Sequence, residues 1–342
     1  MRLTVLLGGV SAERDVSLST GLRMAAALRE VGHEVTCFDP AFGVLSSDTE
    51  RSMLAAGVGR NPPALAELSE LRHRSLSADW VTHAAIRNAD CVVLGLHGGQ
   101  GEDGTVQAAL DLAGVPYTGS GHLASALSMD KHLTKIVLRF AGVPTADWLM
   151  APPQGSAPLD AALVTEHVGW PAVVKPSRQG STVGLSIVNG PDELQAAIEE
   201  AYRFDDAVMV ERYVAGREFT VGVLGDQALP VIEIVPAKAL YDYECKYTPG
   251  MAREFVADLP PETVEHITAY SLQAFSVCGL SGYGRVDFRM DPDGGLWCLE
   301  LNTLPGMTPT SLIPQAAVAA GLLFPVLCNR IVELALASRR RG

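Results

Sequence analysis

At 342 residues the chain is too long for one small hydrophobic core, and two or three domains are expected. Hydrophobic residues make up 48% and charged residues 19%, which excludes a disordered chain. The 26 Lys and Arg against 39 Asp and Glu leave a net charge of −13, which argues against a general electrostatic grip on nucleic acid or an anionic membrane. Any anionic ligand must therefore be met by individually placed cations.

The apolar run 3–7 predicts a strand, and Gly8-Gly9 leads from it into a helix ending near Gly32. Residues 33–38 predict a second strand. Residues 91–96 predict a third, running into the glycine-rich turn 97–104 and another helix. Strand and helix in alternation give a mostly parallel sheet, with ligand sites where strand C-termini turn into helices. Residues 43–79, rich in Ser, Ala, Gly, Pro and Arg, interrupt this rhythm as a peripheral insertion, with helical pieces expected around 64–71. No signal segment precedes the first strand and no run of about 18 apolar residues exists, so a cytoplasmic protein is expected. The six cysteines are scattered without a C-x-x-C pair, which predicts buried free thiols in a reducing compartment.

A helix over about 124–140 opens a second unit, in which strands at 172–175 and 183–188 enclose the polar loop 176–182 before a helix at 191–202. The third unit is richer in antiparallel strands, at 207–214, 218–224 and 228–235, and ends in helices near 307–338. The expected fold class is α/β (α+β) in three domains: 1–121 with a mostly parallel sheet, then 122–207 and 208–342.

The most informative stretch is 284–302. Two alternating strands joined by the Pro/Gly turn 291–294 put Val286, Phe288, Met290, Leu299 and Leu301 on one face. Arg285, Asp287, Glu300 and Asn302 take the other. A register that sets Asp287 across from Glu300 also sets Arg285 across from Asn302. Three oxygen-bearing side chains on a rigid hairpin suit Mg2+ shared with phosphates, and the arginine suits a phosphoryl group in transit. An ordinary solvated sheet face is the alternative for such a pattern.

Neither a G-x-x-x-x-G-K-[ST] loop nor a G-x-G-x-x-G turn is present to cradle phosphates. Lys131, on a helix, and Lys175, ending an apolar strand beside a Gly/Ser loop, are the candidate phosphate contacts. Glu211 can accept from an exocyclic amine and Glu218 from ribose hydroxyls, although taken without the other motifs each reads more readily as a plain surface charge. The double glycine at 8–9 permits close approach of a ligand. Ser11 fits the cap of the following helix, leaving Glu13 to hold a substrate ammonium. His97, ending the third strand, should face the same crevice. The segment 241–250, with three tyrosines, predicts a lid over a water-sensitive intermediate.

Taken together, GGVSAERDVS, HGGQGEDGT, PYTGSG with SALSMDK, KPSRQGSTVG, ECKY, and GYGRVDF with LELNTLPGMTPTS resemble the D-alanine–D-alanine ligases of the ATP-grasp superfamily. The resemblance runs from Gly8 to about Gln315 and implies a three-domain ATP-grasp architecture with ATP held between the last two domains. It implies that Lys131, Lys175 and Lys246 contact phosphates, and that Glu211 with backbone groups near Arg212 and Val214 reads adenine. Glu218 would hold the ribose. Asp287, Glu300 and Asn302 would ligate two Mg2+ ions, for which Mn2+ can substitute, with Glu300 bridging. Glu13 would bind the first D-alanine near His97, in a triad with Ser181 and Tyr247. Arg285 and the Gly306 N–H would stabilise an oxyanion, and Ser311 and Leu312 would receive the second carboxylate. The resemblance also implies a homodimer through the first domain and no nucleic-acid or membrane partner. Gln100 and residues 43–79 receive no role.

The implied reaction joins two D-alanines for peptidoglycan precursor synthesis through an acyl phosphate. D-Alanine–D-lactate and D-alanine–D-serine ligases are the nearest alternatives. Tyr247 in the lid segment, with no histidine between His167 and His266, favours the dipeptide. An inactive nucleotide-binding regulator would be expected to lack a metal ligand or the arginine, and all four residues are in place.

Overall fold

The structure, a computed structural model, describes residues 1–59, 63, 68, 70, 71, 78–237 and 250–339. The first sheet contains β1 (Arg2–Leu6), β2 (Glu34–Asp39), β3 (Gly43–Val44) and β4 (Cys91–Leu94) in the order β3-β2-β1-β4. β1 runs parallel to both β2 and β4, and only the short edge strand β3 is antiparallel. Val5, Leu6, Val92 and Val93 are all buried, as expected for a parallel sheet covered on both faces. Arg14–Glu30 packs against it, and so does the C-terminal helix Phe324–Arg339. Leu327, Ile331 and Val332 enter the same core as Leu28 and Met24. The first core is thus completed by the last helix of the chain.

The middle sheet contains β5 (Trp148–Met150), β6 (Ala172–Pro176), β7 (Ser186–Val188) and β8 (Val208–Arg212) in the order β5-β8-β6-β7, all neighbours antiparallel. The sequence boundary at 208 therefore cuts through the middle unit. Val208 and Val210 share a core with Val174 and with Leu194 and Ile198 of the helix Pro191–Ala201, so burial assigns β8 here. The third sheet contains β9 (Arg217–Leu224), β10 (Gln227–Ala228), β11 (Ile232–Pro236), β12 (Ala252–Val256), β13 (Tyr283–Met290) and β14 (Leu296–Asn302). Its order is β12-β11-β9-β13-β14, with β10 on β9.

The single helix expected over 124–140 is two helices, His122–Met129 and Lys131–Phe140. Asp130 breaks it: its backbone is extended and its carboxylate accepts from the Leu133 N–H at 3.1 Å, capping the second helix. That second helix is turned against its own hydrophobic pattern. Lys131, Thr134, Lys135 and Leu138 form the buried face, while Leu133, Ile136 and Phe140 are exposed. Leu138 still packs with Phe219, Val221 and Phe288 of the third sheet, so 122–143 belongs to that core rather than to the middle one.

Cys37, Cys91, Cys278, Cys298 and Cys328 are buried free thiols, as expected; Cys245 lies outside the described residues. Most of the helical pieces expected over 64–71 also lie outside them. Among the described residues no single helix is long and apolar enough to cross a membrane.

Candidate active site

The hairpin β13–β14 adopts the anticipated register, with Arg285 opposite Asn302 and Asp287 opposite Glu300. A β-bulge follows, since Phe288 pairs with Cys298 and leaves Leu299 as the extra residue. The bulge corrects one expectation: Leu296, Cys298 and Leu301 enter the core, while Leu299 turns to the opposite side and lines a cleft. Strict alternation could not place it, because one inserted residue reverses parity for everything before it.

Asp287 is buried, and its carboxylate is fully engaged. Arg285 donates through Nε to Oδ1 and through a terminal nitrogen to Oδ2, both at 2.8 Å. Thr220 donates to Oδ1 at 2.6 Å and the Asn302 amide to Oδ2 at 3.0 Å. The guanidinium thus serves as counter-charge to Asp287. Glu300 faces Lys131 Nζ at 3.1 Å, and Lys131 also donates to the Gln179 carbonyl at 2.7 Å. Asp287, Glu300 and the Asn302 amide oxygen are hard donors, of the chemistry that Mg2+ takes. No group of three or more His, Cys, Asp or Glu among the described residues could hold a metal by itself. This donor set therefore fits an ion that completes its shell on phosphate and water.

A cleft lies between the middle and third sheets. Val173, Ile234 and Leu299 give it an apolar wall, and Lys175, Glu211, Glu218 and Val214 also line it. Lys175 donates to Glu211 Oε2 at 2.5 Å, and Lys135, which the sequence analysis overlooked, donates to Glu211 Oε1. Burial alone would raise the Glu211 carboxyl, but the two ammoniums outweigh it and pull the group down to about 2. Glu211 is therefore not the surface charge of the alternative view. Glu218 stands in register with Arg289, 3.8 Å from its guanidinium, and Arg212 stacks 4.1 Å over the Trp297 ring.

A second cleft is bounded by the first sheet's loops and by residues 301–312. Glu13 is the N-cap of Arg14–Glu30, yet its side chain makes no cap bond. It accepts from Ser181 Oγ at 2.5 Å. Ser11 does not cap the helix as expected. Its Oγ accepts from the Glu13 N–H at 3.1 Å and donates to the His97 carbonyl, tying the two glycine turns together. Gly98 permits the Glu13 carboxylate to pass: a methyl there would sit 2.9 Å from Glu13 Oε2. Ser181 and Thr182 both hold left-handed backbone, at φ 51° and 62°, an uncommon strain that aims the loop at Glu13.

His97 lines this cleft, as expected, but its ring is spoken for. Its Nε2 lies 3.0 Å from Thr20 Oγ1, which also accepts from the Met307 N–H at 3.3 Å, and its Nδ1 faces Glu102 at 3.4 Å. The imidazole is held in place by Thr20 and Glu102. Gly306, Ser311 and Leu312 share the cleft, and Ser311 Oγ is turned to the Thr308 N–H at 3.0 Å. No side chain caps the helix Leu312–Ala319, so its first N–H groups suit a carboxylate.

Lys131, Ser181, Arg285 and Glu300 line both clefts, so the two meet there. Lys246 and Tyr247, with the rest of the lid segment through 249, lie outside the described residues. Besides Lys135, sequence reasoning missed Thr20 and Thr220. A sequence signal existed only for Lys135, one turn after Lys131 on one face of the same helix.

The D-ala D-ala ligase N-terminus family matches residues 2–120, and the D-ala D-ala ligase C-terminus family matches residues 137–333. A D-alanine–D-alanine ligase of Dechloromonas aromatica is 41% identical over 335 residues, covering 98% of this chain and 97% of the relative. One of Syntrophotalea carbinolica is 42% identical over 345 residues, covering 99% and 97%. The crystal structure of the Bacillus anthracis D-alanine–D-alanine ligase complexed with ATP superposes with a TM-score of 0.77 at 32% identity, covering 100% of this chain and 99% of that one. Matched from end to end in sequence and in fold, the chain belongs to the D-alanine–D-alanine ligase family of ATP-dependent ligases.

Proposed function

We propose that this ligase activates the carboxylate of one D-alanine as an acyl phosphate, which the amine of a second D-alanine displaces. The meeting of the two clefts at Lys131, Ser181, Arg285 and Glu300 carries this proposal. A nucleotide filling the first cleft with its terminal phosphate at the junction stands against a carboxylate held in the second. A carboxylate oxygen of the first substrate bonds to phosphorus as the bond to the ADP oxygen breaks. The amine nitrogen then attacks the acyl carbon, and the tetrahedral adduct collapses with loss of phosphate and of the amine's proton.

Glu13, steadied by Ser181, holds the first ammonium beside His97. Lys131 and Lys175 meet phosphate oxygens, Glu211 and the backbone at Arg212 and Val214 meet the adenine edge, and Glu218 meets the ribose. Arg285 and the Gly306 N–H stabilise the oxyanion, and Ser311 and Leu312 receive the second carboxylate. Asp287, Glu300 and Asn302 would hold Mg2+, or Mn2+ in its stead, which when bound draws charge from the phosphates. The product serves peptidoglycan precursor synthesis in the cytoplasm. A homodimer through the first domain belongs to the same proposal, and light scattering on the purified chain tests it.

The decisive assay is phosphate release from ATP with D-alanine alone, or with D-lactate or D-serine as second substrate. D-Alanine should support turnover and D-lactate should not. Turnover with D-lactate but not with D-alanine would favour the depsipeptide alternative, and none with any of them would favour the regulator.

A further inference from the structure

The structure assigns Lys135 a role of its own: it is the buried counter-ion of Glu211, and through that carboxylate it sets the preference for adenine. The inference rests on the proposal that Glu211 accepts from the exocyclic amine of the base, and deepens it.

Lys135 is fully buried, with a relative exposure of 0%. Its ammonium donates to Glu211 Oε1 and to Thr145 Oγ1 at 2.5 Å, and it lies 5.1 Å from the centroid of the Trp148 ring. Each of its three N–H bonds thus has a partner: a carboxylate, a hydroxyl and a π-face. Thr145 passes its own proton to the Cys298 carbonyl of β14 at 2.9 Å. Its oxygen is thereby committed to accepting from the ammonium. The seat of Lys135 is built from the middle sheet on one side and the third sheet on the other.

Lys175 occupies the other Glu211 oxygen, but its surroundings differ. Lys175 lines the nucleotide cleft, whereas Lys135 does not. Two ammoniums on one carboxylate leave an excess of one positive charge in the cleft wall. Phosphates arriving in the cleft draw Lys175 toward them, and the pair that remains, Lys135 with Glu211, is charge-balanced. Lys135 has no path to follow, since Thr145, Trp148 and Glu211 enclose its ammonium. Without it, Glu211 would become a buried unpaired carboxylate at the moment the nucleotide binds. Such a group takes up a proton or turns away, and either response removes the acceptor aimed at the exocyclic amine. Lys135 is therefore a positioning residue that acts on the base without touching it.

The test compares kcat/KM for ATP and for inosine triphosphate, which carries a carbonyl where adenine has its amine, by phosphate release at saturating D-alanine. In the wild type, ATP should be preferred. Lys135→Met should lower the ATP value and leave the inosine nucleotide unchanged or better, cutting the preference about tenfold, the factor for one hydrogen bond to a charged group. Glu211→Gln should cut it as well. A Lys135→Met enzyme that loses activity equally with both nucleotides overturns the role given to Lys135. A Glu211→Gln enzyme that keeps the full preference overturns instead the reading of Glu211 as the base's acceptor. Thr145→Val keeps the lysine and removes one wall of its seat, so it gives an independent measurement even where Lys135→Met fails to fold. A smaller loss of preference is expected from it, and an unchanged ratio overturns the proposal.

Discussion

Replacing Arg285 by methionine exchanges a planar fork for an apolar side chain of similar length. The fork makes two charge-assisted bonds of 2.8 Å to Asp287, whose relative exposure is 8%. Bonds to charged groups contribute about 1.5–3 kcal/mol each, but Thr220 and Asn302 stay on the carboxylate and the cleft admits water, so the net loss of stability should be about 2 kcal/mol. The loss in the chemical step should be larger. A preorganised donor aimed at developing negative charge is worth about 3–4 kcal/mol, which corresponds to a fall in kcat of roughly two to three orders of magnitude. Because that charge exists only in the transition state, KM for ATP and for D-alanine should hardly move. Arg285→Lys should recover only part of the loss, since one ammonium cannot span both Asp287 oxygens as the guanidinium does. Phosphate-release kinetics over a matrix of ATP and D-alanine concentrations measure the split. A kcat within about threefold of the wild type, or a fall in kcat matched by rises in both KM values, would refute the transition-state role.

Glu300→Gln keeps the shape and its contact with Lys131 but removes the charge. Turnover should fall by about three orders of magnitude with nucleotide Kd nearly unchanged, and the Mg2+ concentration for half-maximal rate should rise; equal activity would end its assignment as a metal ligand. Ser181→Ala removes the hydroxyl that Glu13 accepts at 2.5 Å and should raise KM for D-alanine about tenfold, and an unchanged KM would break the link between that loop and the substrate. Acid stability reports on Glu211. Its folded pKa of about 2 lies below the ordinary 4.5, so its contribution is fully present above pH 4.5 and is lost as pH falls to about 2. Urea unfolding between those pH values should show the wild type losing about 3 kcal/mol more than Glu211→Gln, and parallel curves would contradict the buried pairing.

Much of the candidate site is legible in local pattern. The period-two alternation of 284–302 specifies which residues of the hairpin face together, because a strand's side chains alternate whatever else the chain does. The parity of Arg285, Asp287, Glu300 and Asn302, the glycine turns before Glu13 and after His97, and the parallel character of the first sheet all follow from residues close in sequence. What tertiary structure alone decided depends on partners far along the chain. β8 pairs in the middle sheet, and the last helix completes the first core, because each apolar face joins whichever surface can bury it. Lys131–Phe140 shows the limit most directly. Its pattern predicts that Leu133, Ile136 and Phe140 turn inward, yet Lys131 and Lys135 do. Glu211, Thr145 and Glu300, supplied by other segments, satisfy those two ammoniums and outweigh the helix's own amphipathic preference.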